Sequence, residues 1–245
     1  MKLGIYYTLG DRTLEESVAL LKGAANAGAD LLEVGLPFSD PLLDGPVIQA
    51  SHIRASKNEG GPSWKELCSA LVELKKSTGK QVSVMSSIQL LLPEERHQSL
   101  PEMDGLLLTD VSFRQASPFK CSTPRVWFLS QDIAQQGKLE LPQGDVSMVY
   151  LTRVQGITGA DQQAESTIEG AIKNLKQQID VPIWVGFGIS KREDIEKDVK
   201  HGAVGGIVGS AFVKAVDSFR VENPKATLQD HENFGANWVK QFLGK

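Results

Sequence analysis

Eight short apolar runs, each followed by a polar or glycine-rich stretch and most of them then by an amphipathic segment, constrain this chain more than any other feature. They fall at about 3–8, 30–34, 81–86, 104–108, 125–129, 146–151, 182–186 and 204–208. The runs are continuous rather than alternating in polarity, the pattern of strands buried on both faces of a parallel sheet. Eight such strands alternating with helices within 245 residues favour an α/β fold of the closed (β/α)8 barrel (TIM barrel) type, with residues 1–245 forming a single domain. A doubly wound open sheet is the competing architecture. It would place its glycine-rich phosphate loop after the first strand, whereas here the glycine-rich turns follow the sixth, seventh and eighth.

The helical segments carry their own signals. Residues 13–27 place Leu14, Val18, Leu21 and Ala25 on one face, and Gly28 suits the C-terminal stop. Residues 165–179 have the same character and end before Pro182. The stretch 35–80 has room for a loop and two helices, and 211–243 for two more. Composition excludes several classes of function. A net charge of −4 argues against a basic nucleic-acid face or attraction to anionic lipid. Cys68 and Cys121 are far apart in sequence, without a CxxC motif, so buried free thiols are expected rather than a disulfide framework or zinc site. The N-terminal residues lack the apolar core of a signal peptide, and no apolar run reaches bilayer length. The expected location is cytoplasmic, with no metal.

Three late turns read as a cradle for phosphate: Gly156-Ile157-Thr158-Gly159, Gly186-Phe187-Gly188-Ile189-Ser190 and Gly209-Ser210. Glycine lets the backbone approach a ligand closely. A helix start offers free N–H groups and the positive end of the helix dipole, and Ser210 adds a hydroxyl that could also cap the following helix. One such turn is equally well explained by turn geometry alone; three at the strand ends where this fold binds phosphate favour a site.

The chemistry is expected after the second strand, in EVGLPFSDPLLDGPVIQ over 33–49. Glu33 interrupts an apolar strand, where a carboxylate is costly unless paired or protonated. Partial burial would raise its pKa and let it act as both acid and base. Asp40 and Asp44 follow in a proline-rich loop, and Pro46 suits the first helical position. Residue types alone leave open that both aspartates serve turns and that Glu33 is solvated.

The string Glu33–Gln49 resembles the signature of the tryptophan synthase α-subunit family, departing only at Leu43, where that family usually has Ala. Tyr7-Thr8-Leu9-Gly10-Asp11 is similar to its first loop, and the three late turns, extended by Ala160 and Ala211, are similar to its phosphate motifs. The resemblance runs from about residue 4 to 240. It implies a lyase that cleaves indole-3-glycerol phosphate to indole and glyceraldehyde 3-phosphate. Glu33 would then be the general acid and base. Asp44 would accept the indole N–H, in a wetter environment than Glu33. Gly159, Gly188, Gly209 and Ser210 would hold phosphate, with Thr158 and Asp40 in loops that close over it. The partner implied is a PLP-dependent β subunit in an αββα heterotetramer, receiving indole through a channel. It would meet this chain around Pro37 to Asp44 and the loop ending at Thr158. No cofactor is implied in this chain.

The departures cluster on strands three to six. Met85-Ser86-Ser87-Ile88-Gln89 replaces a Tyr-x-Asn string. Thr109-Asp110-Val111-Ser112 keeps the Asp of Pro-Asp-x-Pro but neither proline, and Leu129-Ser130-Gln131-Asp132 replaces Ala-Pro-Thr. Arg153 stands one place off the family's Ser-Arg, and no counterpart is expected for the helix that usually precedes the first strand. The expectation is therefore a retained lyase, with a catalytically weakened α subunit that mainly activates its β partner as the alternative. A different phosphate-binding barrel enzyme would need another acid/base pair. His52, His97, His201 and His231 read as surface or supporting residues, none beside a strand-end carboxylate. Trp64, Trp184 and Trp238 read as packing residues, with Trp127 the one possible ligand contact.

Overall fold

The computed structural model describes residues 1–38, 44–57, 61–111, 121–135, 138–139, 145–153 and 163–245. Its strands are β1 (Lys2–Thr8), β2 (Leu31–Gly35), β3 (Gln81–Ser86), β4 (Gly105–Leu108), β5 (Arg125–Ser130), β6 (Val146–Thr152), β7 (Ile183–Gly186) and β8 (Gly205–Val208). They pair in parallel in sequence order and close through β1 and β8, as the eight apolar runs predict. The register sets Tyr6 beside Glu33 and Glu33 beside Ser83. It also sets Tyr150 of β6 beside Trp184 of β7.

The helices cover the barrel. They include α1 (Leu14–Asn26), α2 (Pro46–Lys57), α3 (Trp64–Thr78), α7 (Gln163–Gln178), α8 (Arg192–Lys200), α9 (Ser210–Glu222) and α10 (Leu228–Leu243). Three of these start with side-chain caps. The Thr13 hydroxyl accepts from the Glu16 N–H, and Ser63 with Glu66 and Thr227 with Asp230 form reciprocal capping boxes. Gly79 ends α3 in the left-handed conformation, where glycine carries no Cβ penalty. Pro46 occupies the first turn of α2, as its fixed φ and missing N–H favour. Three short helices, α4 (Ile88–Leu91), α5 (Glu94–Ser99) and α6 (Gln131–Ala134), follow β3 and β5.

Every residue of β2, β4, β7 and β8 is buried. Their continuous hydrophobicity thus comes from having the barrel interior on one face and the helices on the other. Trp184 belongs to this core, and Trp127 is buried with it. Trp64 bonds Ser99, and Trp238 stacks on Phe242. Cys68 and Cys121 are free but only half-buried, because Cys68 sits beside the α5 end and Cys121 in the turn before β5, where each thiol donates to a backbone carbonyl. Among the described residues no helix is long and apolar enough to cross a membrane.

Candidate active site

Glu33 is the single acidic residue of β2 and sits at its centre, 2% exposed. Asp44 lies just before α2 and is also buried, at 7% exposure. No hydrogen bond from the described residues reaches either carboxyl group, and Asp44 Oδ2 is a buried atom without a partner. The consequence is electrostatic. Burial, and then the neighbouring Asp44 charge, push Glu33 up to about 8. Burial pushes Asp44 up to about 7. Two carboxyls that repel one another in a desolvated pocket cannot both ionise readily, so near neutral pH the pair holds about one proton.

Two sequence expectations need correction. Glu33 is fully rather than partly buried, because β2 is covered on both faces. Asp44 is not the wet member of the pair. Its side chain lies against His52 of α2, with Nε2 3.8 Å from Oδ2. Phe38 packs on that imidazole at 4.6 Å between ring centres. The aspartate does not cap α2 either. Its backbone carbonyl accepts from Gln49 Nε2, and the Gln49 N–H closes the first turn onto Gly45.

His52 is the site residue that sequence reasoning missed. It is completely buried and bonds the Tyr6 hydroxyl at 3.0 Å. Burial lowers its pKa to about 4, so at neutral pH the ring carries no charge. The only signal available in the sequence was its place six residues after Pro46, on a helix whose start was itself legible. Tyr6 and Tyr150 complete the polar lining of the barrel mouth. Both are buried, and desolvation together with the carboxyls raises both phenols well above the ordinary value. Their hydroxyls take up space that glycine leaves open. A Cβ on Gly35 would stand 2.3 Å from the Tyr6 oxygen, and one on Gly186 1.9 Å from that of Tyr150. Gly186 is thus required by a side chain from the preceding strand, its neighbour in the barrel.

Only some of the residues expected at a phosphate are among those described. Gly209 is the N-cap of α9 and makes no side-chain cap, so Ser210 is the first helical residue and not its cap, which corrects the capping role expected of it. The first N–H groups of α9 and the exposed Ser210 hydroxyl are therefore open to an anion. Gly188 (φ +80°) lies exposed in the adjoining turn after β7. Phe187 beside it has φ +59°, a strained value for a bulky residue. Its ring is held between Tyr150 and Phe128, at 5.9 and 6.2 Å. The start of α8 is closed, because Asp194 Oδ2 accepts from the N–H groups of Ser190 and Lys191. Asp40, Thr158 and Gly159 lie outside the described residues, as do the other residues of 154–162.

Where they are described, the altered stretches bond one another and α8. Asp110 accepts from the Ser87 hydroxyl and, at 2.7 Å, from the Ile88 N–H. Arg153 is buried against α8, donating to the Asp194 carbonyl at 3.3 Å and to the Asp198 carboxylate at 3.4 Å. Among the described residues no group of His, Cys, Asp and Glu is placed to hold a metal ion.

Comparison with known proteins gives this geometry a context. A family model described as the tryptophan synthase alpha chain matches residues 2–242. The chain is 30% identical to the tryptophan synthase alpha chain of Vibrio cholerae over 241 residues, covering 94% of this chain and 88% of the relative. It is 33% identical to that of Carboxydothermus hydrogenoformans over 235 residues, covering 90% and 87%. Among solved structures it is similar to the tryptophan synthase complex of Pyrococcus furiosus, with TM-score 0.77 and 26% identity over 100% of this chain and 98% of that one.

Proposed function

This chain belongs to the tryptophan synthase alpha chain family, and from that premise we propose that it is the lyase subunit of a tryptophan synthase. In this reading residues 1–245 act as one cytoplasmic barrel domain. The domain cleaves indole-3-glycerol phosphate to indole and glyceraldehyde 3-phosphate within an αββα complex, and indole passes to a β subunit that holds the PLP.

The observation that carries the reading is the buried, unpartnered carboxyl pair. With its pKa near 8, Glu33 is protonated at neutral pH and can deliver a proton to C3 of the indole ring. Asp44, which ionises first, accepts the ring N–H and stabilises the positive charge that forms on the ring. Glu33, now a carboxylate, takes the proton from the side-chain hydroxyl. The C–C bond breaks toward the ring, the carbinol becomes the aldehyde, and Glu33 is protonated again. Gly188, Gly209, Ser210 and the α9 N-terminus bind the phosphate, with Gly159 from the sixth loop, so that remote binding energy orients the reacting carbon. Asp40 and Thr158 belong to the loops that close over the substrate.

The test is indole release from indole-3-glycerol phosphate with the cognate β subunit present, comparing wild type with Glu33→Ala. Release by wild type and none by the variant supports the lyase. A folded wild type that releases none, yet stimulates the β reaction, would mean an activator instead. That second reading draws on Asp110 and Arg153, both engaged within the protein in the sector that departs from the family pattern.

A further inference from the structure

Behind Asp44, four buried side chains from β1 and α2 form a hydrogen-bond chain whose proton directions can be deduced. Ser51 Oγ lies 2.7 Å from the Ile48 carbonyl oxygen and 2.7 Å from Thr8 Oγ1. The Tyr6 oxygen lies 3.0 Å from Thr8 Oγ1 and 3.0 Å from His52 Nε2. A carbonyl has no proton to give, so Ser51 donates to Ile48. Each hydroxyl has one proton. Ser51 has therefore spent its own, and Thr8 donates to Ser51. Thr8 has then spent its own, and Tyr6 donates to Thr8. The last link can close only if His52 donates from Nε2 to the Tyr6 oxygen. Such a run of links pointing one way is mutually reinforcing in a low-dielectric interior. The other ring nitrogen, Nδ1, is buried with no hydrogen-bond partner, as fits a bare nitrogen in an uncharged ring.

We infer that this chain locks His52 as the neutral Nε2–H tautomer and commits its proton to Tyr6, leaving Asp44 an unpaired acceptor for the ring N–H of the substrate. His52 and Tyr6 are thus positioning residues that act through Asp44. The identity of the substrate rests on the lyase reading above; the proton chain does not.

The geometry explains why the commitment matters. At 3.8 Å, Asp44 Oδ2 is too far from Nε2 for a hydrogen bond, but a small turn of either group would make one. That bond, or a charged imidazole, would hold Asp44 ionised at lower pH and make it a weaker acceptor for substrate. The groups set against the ring are Tyr6 of β1, Asp44 ahead of α2 and the Phe38 ring, with the Asp11 charge beyond β1. Of these, Tyr6 holds the ring proton.

The test uses the full-length chain labelled with nitrogen-15 and carbon-13, reading the His52 ring nitrogens and the Asp44 carboxyl by NMR. From about pH 6 to about pH 8, Nε2 is expected to be protonated and Nδ1 bare. An Nδ1–H ring or an imidazolium in that range would overturn the proposal. In Tyr6→Phe the ring proton is released to Asp44. The Asp44 midpoint should fall by about one unit and kcat/KM for indole release about tenfold. Adding His52→Leu to Tyr6→Phe removes the donor. It should bring the Asp44 midpoint back up and return kcat/KM to within about threefold of wild type, a non-additivity expected only of coupled residues. Losses that simply add would reduce both residues to a packing role and overturn the proposal. Wild type with the expected tautomer but no indole release would remove the lyase reading alone. Indole release with an Nδ1–H ring would remove the proton chain alone.

Discussion

Two clusters of buried acid lie on either side of β1, and the fold treats them in opposite ways. Outside the barrel, Asp11 is completely buried and fully partnered. It accepts from the Tyr7 hydroxyl at 3.0 Å and from two Arg54 nitrogens at 2.6 and 2.9 Å, with Arg220 Nη1 3.4 Å away. Arg220 in turn reaches the Asp11 carbonyl and Glu16. This network ties the β1 turn to α1, α2 and α9. At the barrel mouth, Glu33 and Asp44 are equally removed from water, but no cation or hydrogen-bond donor bonds them among the described residues. Burial alone therefore does not mark chemistry. What separates a structural carboxylate from a reactive one here is whether the fold supplies it with partners, because the unpartnered group stays basic and keeps its proton to use.

The largest expected effect breaks the comparison at the mouth. Glu33→Gln keeps the shape and removes the titrating group. Indole release should fall by about 10²–10⁴-fold with the far-UV spectrum and unfolding transition intact. Next is the opposite cluster. Asp11→Asn takes the shared buried carboxylate from Arg54 and Arg220, which keep Asp217 and Glu16, and should cost about 3 kcal/mol in urea unfolding, while activity per folded molecule changes far less than in Glu33→Gln.

A pH series sharpens the contrast. The folded-state pKa of Glu33 lies near 8 against 4.5 for an ordinary glutamate, and that of Asp44 near 7 against 3.8. The folded protein thus binds more protons than the unfolded chain between those limits. The stabilising contribution is complete below about pH 4 and is lost as pH rises through about 7 and about 8, the sign set by linkage. Urea midpoints should therefore fall from pH 6 to pH 8.5 in wild type and fall less in Glu33→Gln. The smallest effect belongs to phosphate. Ser210→Ala removes one exposed hydroxyl and should raise KM by about threefold to tenfold with kcat little changed, about 1 kcal/mol for one hydrogen bond.

Much of this architecture is legible in the sequence, for physical reasons. Parallel strands buried on both faces leave unbroken apolar runs, so all eight strands fall within a residue or two of their runs. The long helices announce themselves by amphipathic spacing and by Gly28 at the end of α1. Short helices such as α4 and α6 leave no such period, having scarcely more than one turn each. Glu33 stands out because a charge within an apolar strand is conspicuous. His52 does not, since its role depends on Tyr6, 46 residues earlier, and on the packing of α2 against β1. The environment of Asp44 was hidden for the same reason: a proline-rich acidic loop reads as solvated until Asp44 is seen buried against His52.

The central claim is that Glu33, buried without partners, keeps its proton at neutral pH, and infrared spectroscopy of the carboxyl groups tests it most directly. At pH 7 wild type should show the carbonyl stretch of buried neutral acid, reduced in Glu33→Gln to the share that Asp44 contributes and unchanged in Asp11→Asn. Absence of that band from wild type, or its loss in Asp11→Asn with Glu33 intact, would contradict the account.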